Sequence, residues 1–194
     1  MAKLYFYYSA MNAGKSTVLL QSSYNYEERG MDTFLLIPDI DHRDGIGVIA
    51  TRVGLKKQAT AFSESEDLFV LCKQRLQEKP NTRCVLVDEA QFLSKEQVFG
   101  LARFVDECGV PVLAYGLRAD YRVTPFPGST YLLAVADELI ELKTICHCGR
   151  KATMNMRIDD HGRQIKDGQQ VVIGGNEAFV ATCRRCFFKG DSGK

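Results

Sequence analysis

Four groups of residues carry types and spacings that could do chemistry. The first is Ser9-Ala10-Met11-Asn12-Ala13-Gly14-Lys15-Ser16, which fits the phosphate-loop pattern G-x-x-x-x-G-K-[ST] except that Ser9 replaces the first glycine. Such a loop wraps backbone N–H groups around a β-phosphate, and the helix that follows adds its partial positive charge. Lys15 would reach the β/γ oxygens and Ser16 would offer a hydroxyl to Mg²⁺. The second group is Asp88-Glu89, directly after the apolar run Cys84-Val85-Leu86-Val87. A carboxylate at a strand end can hold Mg²⁺, which suits Asp88, and its neighbour Glu89 can act as general base. The competing reading is an acidic strand end that caps its own loop. The third group is Asp41-His42-Arg43, where Arg43 could touch phosphate and Asp41 could assist the metal. A solvated surface loop explains those three residues equally well.

The fourth group is Cys146-x-Cys148 with Cys183-x-x-Cys186. Paired short spacings present two thiolates from each turn, and four thiolates fill the tetrahedral shell of a structural Zn²⁺ with no open position. Two disulfides are the alternative. The chain has seven cysteines, so a pure disulfide framework leaves one over. Cys72, Cys84 and Cys108 are scattered among apolar residues and read as free buried thiols in a reducing compartment. His42, His147 and His161 show no partner pattern and are assigned no role.

The elements that must position these groups alternate between strand and helix. Strands are expected at Lys3–Tyr8, Thr33–Ile37, Cys84–Val87, Pro111–Tyr115 and near Leu139–Lys143. Helices are expected from Lys15 to about Arg29, over Ser65–Glu78, after Ser94 with a capping box to Gln97, and around Thr130–Ala136. Asp39–Lys57 and Gly116–Ser129 read as loops, the former with one short strand. This alternation predicts an α/β fold with a mostly parallel sheet covered on both faces. The phosphate loop and Asp88-Glu89 would then share the C-terminal edge of that sheet, where ligands bind. After Cys146 only short, glycine-broken stretches remain. The expected organisation is an α/β domain at 1–144, a metal-bearing domain at 145–188 and a disordered tail at 189–194.

Composition narrows the class. The chain has 194 residues, 45% hydrophobic and 25% charged, which suits one globular domain with a small appendage. Lys+Arg is 25 against Asp+Glu 24, so nothing in the charge supports binding to a nucleic-acid backbone. No apolar run approaches the ~20 residues of a membrane span, and the N-terminus lacks the pattern of a signal peptide. The chain reads as cytoplasmic, with no membrane or nucleic-acid partner.

Taken together, these residues resemble the type II (cytosolic-type) thymidine kinases, in particular their bacterial branch. Four features carry the resemblance in order: the phosphate loop with Met11 and Gly14-Lys15-Ser16-Thr17, the segment Asp88-Glu89-Ala90-Gln91-Phe92, the cysteine pairs, and Val172-Ile173-Gly174-Gly175. The resemblance implies a RecA-like P-loop core with a zinc-binding lasso domain, a homotetramer, and transfer of the ATP γ-phosphate to thymidine with Mg²⁺. Deoxyuridine would be a second substrate and dTTP a feedback inhibitor. It further implies that Glu89 is the general base and that Asp41 and Arg43 form a phosphate- and metal-side pair. Residues 9–16, Arg43, Asp88, Glu89, Ala90 and Gln91 would line the ATP side. Met11, Phe92, Leu117, Tyr121, Phe126, Val172, Ile173, Gly174, Gly175 and Phe179 would line the nucleoside pocket, with Phe179 where the family usually has Tyr. The loop 159–175, glycine-rich and with little to bury, is expected to be mobile when empty and to fold over the base.

Two other classes share some of these features. A P-loop ATPase module that binds nucleic acid through a zinc knuckle would explain the phosphate loop, the acidic pair and the cysteines. It would also call for a marked basic excess, which is missing: Lys+Arg is 25 against Asp+Glu 24. A guanine-nucleotide switch would need an N-K-x-D motif, which is also missing.

Overall fold

The computed structural model describes residues 1–40, 45–170 and 178–194. In chain order the first half holds β1 (Leu4–Ser9), α1 (Lys15–Glu27), β2 (Asp32–Pro38), β3 (Val48–Ala50), β4 (Lys56–Gln58), β5 (Thr60–Phe62), α2 (Leu68–Glu78) and β6 (Thr82–Val87). A 3-10 turn at Ala90–Phe92 leads to α3 (Lys95–Cys108), β7 (Val112–Leu117), α4 (Pro127–Val135) and β8 (Glu138–Glu141). The last third holds β9 (Thr144–Ile145), β10 (Lys151–Ala152), β11 (Met154–Ile158), β12 (Gln164–Ile165), β13 (Phe179–Thr182) and α5 (Arg184–Lys189).

The central sheet has six strands in the order β5-β2-β6-β7-β1-β8. Every pairing in it is parallel. Period-2 side-chain alternation splits its core into two layers. On one face Phe6, Leu36, Val85 and Ala114 pack under α2, α3 and α4 through Leu68, Leu101 and Leu132. On the other, Leu35, Leu86, Leu113 and Tyr115 pack under α1 through Leu19 and Leu20. Both faces are therefore covered, as an all-parallel sheet requires. Helix α3 begins with the expected capping box between Ser94 and Gln97.

Three features differ from the sequence expectation. The 39–57 stretch contains an antiparallel pair, β3 with β4, and the sheet-edge strand β5 follows directly after it; strands of three residues are too short to show a period. Helix α4 starts at Pro127 rather than Thr130, because Pro fits the first helical turn, where no donor is needed. The C-terminal segment is not a free tail. Asp191 N–H donates to Cys186 O at 3.0 Å and Ser192 Oγ donates to Gly162 O at 2.6 Å. Backbone and hydroxyl bonds tie down a stretch whose composition alone suggests disorder.

The last third builds two small sheets, β10-β9 and β12-β11-β13. The stretch from Asp159 is organised at its start: Asp159 carboxylate oxygens accept from His161 N, Arg163 N and Arg163 Nε, closing a turn between β11 and β12. Asp41, Arg43 and Val172-Ile173-Gly174-Gly175, expected at the site, lie outside the described residues.

Candidate active site

The phosphate loop leaves β1 at Ser9 and enters α1 at Lys15. Its turn needs two left-handed residues, Asn12 at φ 65° and Gly14 at φ 77°. Asn tolerates that region and Gly is at home there. A Cβ on Gly14 would meet nothing nearer than Thr17 Cβ at 4.0 Å, so backbone torsion rather than crowding calls for glycine. Lys15 Nζ lies 3.4 Å from Ser9 Oγ, the atom that replaces the usual first glycine. Ser9 Oγ itself donates to Ala10 O at 2.7 Å.

Asp88 follows β6 and its N–H donates to Leu36 O, so the ladder fixes its position. Its Oδ2 accepts from Ser16 Oγ at 2.7 Å, joining two motifs that are far apart in sequence. Oδ1 accepts from Glu89 N at 3.0 Å, so the capping reading is also realised, by the other oxygen. Asp88 is 3% exposed. Burial, and then the neighbouring Glu89 charge, push its carboxyl up to about 6, against the pull of Ser16 and Lys15. A buried carboxylate beside a hydroxyl suits a bound cation: Ser16 and Asp88 present two of the hard oxygens that Mg²⁺ takes.

Glu89 is left-handed at φ 49°. Gln91 Nε2 donates to Glu89 Oε2, and Gln91 Oε1 accepts from Leu117 N at 3.0 Å. Gln91 is 1% exposed, so this amide is a buried clamp between the acidic segment and the end of β7. Ala90, expected on the phosphate side, is instead fully buried in the core. Its carbonyl would be 2.6 Å from a Cβ on Gly128, so α4 abuts the 3-10 turn directly.

One cavity of about 650 Å³ runs from the phosphate loop to a cluster of aromatic rings. Met11, Asn12, Gly14, Lys15, Ser16, Asp88, Glu89 and Gln91 line one part; Phe92, Leu117, Tyr121, Phe126 and Phe179 line another. Phe92 and Phe126 meet edge-on at 5.7 Å, and the Tyr121 and Phe179 rings are 6.1 Å apart. Ser9 and Ala10 are buried behind the loop. Of the described residues selected from the sequence for ATP and nucleoside, Ser9, Ala10, Ala13 and Ala90 do not line this cavity and the rest do.

Sequence reading missed several residues of this site. Asp120 is 5% exposed and its carboxylate accepts from Arg122 N, Arg122 Nε and Thr124 N. That clasp holds Val123 at φ 66°, a conformation a β-branched residue resists by roughly 1–2 kcal/mol. It shapes the loop that presents Tyr121. Tyr121 Oη then donates to Gln169 O at 2.9 Å and Arg122 Nη1 donates to Gly168 O at 3.1 Å, so the loop anchors residues 168–169. Asn155 bonds Met11 N and Ala119 O from the C-terminal third. Thr51, Arg52 and Val53, at the turn between β3 and β4, line the cavity mouth. The Asp120 clasp is local, an Asx-type turn within residues 120–124; the other roles depend on contacts between distant segments, which no local motif reveals.

The four cysteines Cys146, Cys148, Cys183 and Cys186 bring their sulfurs within 4.8 Å of one another. Cys148 Sγ and Cys183 Sγ are 3.6 Å apart, far beyond a disulfide. Zn–S bonds of ~2.3 Å in a tetrahedron require sulfurs about 3.8 Å apart, so the quartet fits Zn²⁺. Three of the four are buried and Cys148 is exposed. His147 Nδ1 lies 3.6 Å from Cys146 Sγ, and its Nε2 lies 3.3 Å from Asp191 Oδ1. Cys72 and Cys84 are buried free thiols, each pushed up to about 12 by burial.

A parallel α/β sheet with a phosphate-type loop after its first strand, an acidic pair beside that loop and, beyond them, four cysteines that could hold a metal ion define a P-loop protein with a cysteine cluster. The family model described as Thymidine kinase matches residues 2–187. The chain is 61% identical to a thymidine kinase of Legionella pneumophila (strain Lens) over 194 residues, covering 100% of this chain and 93% of that one. It is 61% identical to a thymidine kinase of Coxiella burnetii (98% and 97% covered) and 57% identical to one of Yersinia pestis (95% and 94% covered). The chain belongs to the thymidine kinase family.

Proposed function

We propose that this protein transfers the γ-phosphate of ATP to the 5′-hydroxyl of thymidine, giving dTMP. The observation that carries the reading is the single cavity with Lys15, Ser16, Asp88 and Glu89 in one part and the Phe92, Tyr121, Phe126 and Phe179 rings in another, in a chain of this family. A nucleoside seated on the rings would direct its 5′-hydroxyl toward Glu89. The Glu89 carboxylate accepts that proton as the oxygen attacks, and Gln91 holds the carboxylate in orientation. Lys15 balances charge on the transferring phosphoryl group. Ser16 and Asp88, with Asp41, would hold Mg²⁺, which shields phosphate charge when bound.

The remaining parts of the reading follow the resemblance. The cysteine quartet holds a structural Zn²⁺. Arg43 contacts phosphate, and Val172-Ile173-Gly174-Gly175 close over the base with backbone groups. The working unit is a cytoplasmic homotetramer inhibited by dTTP; among the described residues no helix is long and apolar enough to cross a membrane. Residues 1–144 hold the ATP site and most of the nucleoside rings, and 145–188 hold the metal and the segment that covers the base.

Substrate comparison tests the pocket. One methyl in an apolar pocket is worth about 1–3 kcal/mol, so deoxyuridine should be accepted with a kcat/KM lower by ~10–200-fold. Deoxycytidine reverses the donor and acceptor positions at the ring edge, leaves buried groups unpaired, and should be rejected more strongly. Equal use of thymidine and deoxycytidine would overturn the assignment of the base site.

A further inference from the structure

Asn155 sits in β11 and is 5% exposed, yet its amide is committed to two distant backbone groups. Oδ1 accepts from Met11 N at 2.7 Å and Nδ2 donates to Ala119 O at 2.8 Å. The first partner belongs to the phosphate loop; the second belongs to the loop that carries Tyr121. Thr144 Oγ1 donates to Asn12 O at 3.3 Å, so two consecutive residues of the phosphate loop are held from the C-terminal third of the chain. The second of them, Asn12, is the loop's first left-handed residue. The support behind Asn155 is rigid. Asn155 pairs with Ala181 in β13, β13 runs into Cys183, and Ala152 just before β11 packs with the cysteine cluster.

We propose that Asn155 is a positioning residue: through it, assisted by Thr144, the metal module sets the shape of the phosphate loop and ties it to the nucleoside-side loop. The proposal rests on the nucleotide-binding reading given above. Only a side chain with an acceptor and a donor on one planar group can serve both partners. Aspartate would keep the bond to Met11 N, lose the one to Ala119 O, and set a negative charge against that carbonyl and near the bound phosphates. Because Met11 N–H is spent on Asn155, the loop presents the N–H groups that follow it to phosphate.

The test measures the Kd of Mg·ADP by calorimetry, KM for ATP and for thymidine, kcat, and thermal midpoint in N155A, N155D and T144V. N155A should raise the Kd of Mg·ADP and the KM for ATP by about 10-fold, the scale of one to two lost neutral hydrogen bonds. N155D should bind Mg·ADP no better than N155A. T144V replaces a half-buried hydroxyl by a methyl of the same shape and should fold normally, raising Kd by ~2–3-fold. The double variant should show less than the product of the single effects, since both bonds act on one loop. A lowered thermal midpoint with unchanged Kd for Mg·ADP in N155A and N155D would make Asn155 a structural filler and overturn the proposal. If N155A or N155D does not fold, an unchanged Kd in T144V overturns it. The Mg·ADP readout does not involve thymidine. Failure of the wild type to form dTMP would thus refute the proposed function while leaving this test intact.

Discussion

Gly128 offers a sharp test of how the acidic segment is held. It lies at the start of α4, where a Cβ would come within 2.6 Å of Ala90 O, 2.8 Å of Leu93 O and 2.9 Å of Gln91 O. All three obstacles are backbone, so no side chain can swing aside. Carbon–oxygen contacts of ~3.3 Å are tolerated, so Gly128→Ala must separate α4 from the 3-10 turn by about 0.7 Å. Overpacking of this kind costs ~1–3 kcal/mol, a fall in Tm of roughly 2–12 °C for a chain of this size. The displaced segment carries Glu89, Gln91 and Phe92, and a 1 Å misplacement costs on the order of 10²-fold, so kcat should drop by ~10–100-fold. Steady-state kinetics with thymidine, together with a melting curve, reads both effects. Gly109→Ala is the control: a Cβ there meets nothing within 4 Å, and φ is +66°. Its strain should cost ~1–2 kcal/mol of stability with normal turnover. Gly128→Ala with kcat within twofold of wild type would refute the claim that this backbone contact sets the catalytic geometry.

Other outcomes follow from the same geometry. Glu89→Gln should bind Mg·ATP and thymidine normally in calorimetry while kcat falls by ~10²–10⁴-fold, the scale of a general base. Lys15→Ala should lower kcat by at least ~10²-fold with an unchanged far-ultraviolet spectrum. Asp88 has its carboxyl raised to about 6, so the apparent Mg²⁺ affinity should weaken as pH falls through that value and protons compete with the cation. Without metal the sign for stability is the reverse: the fold holds the Asp88 proton more tightly than the unfolded chain, so stability should decline as pH rises from about 4 to 6, and Asp88→Asn should flatten both trends. Metal analysis of the reduced protein should find about one zinc per chain, and Cys186→Ser should lose it and lower the thermal midpoint.

The legible parts of the molecule were those written in contiguous residues. The phosphate loop, Asp88-Glu89 and the cysteine pairs each announce a local geometry, and alternating apolar runs announce the parallel sheet. The illegible parts were made by long-range contact. Nothing near Asn155 in sequence suggests that its amide will meet Met11 and Ala119. Gln91 was recognisable only by resemblance, whereas its clamp on Glu89 and Leu117 N exists because β6 and β7 are neighbours in the sheet. Gly128 looks like ordinary loop punctuation until α4 is packed on the turn at residue 90. The segment after Lys189 misled for a related reason: small polar residues suggest disorder, but Ser192 and Asp191 find partners on Gly162 and Cys186.

The most direct test of the central claim is product analysis of purified protein with ATP, Mg²⁺ and thymidine. The account predicts ADP and dTMP in a one-to-one ratio, with ADP formation dependent on thymidine and lost in Glu89→Gln. ADP release that proceeds equally without thymidine, or that is driven by DNA or RNA with no dTMP formed, would contradict it.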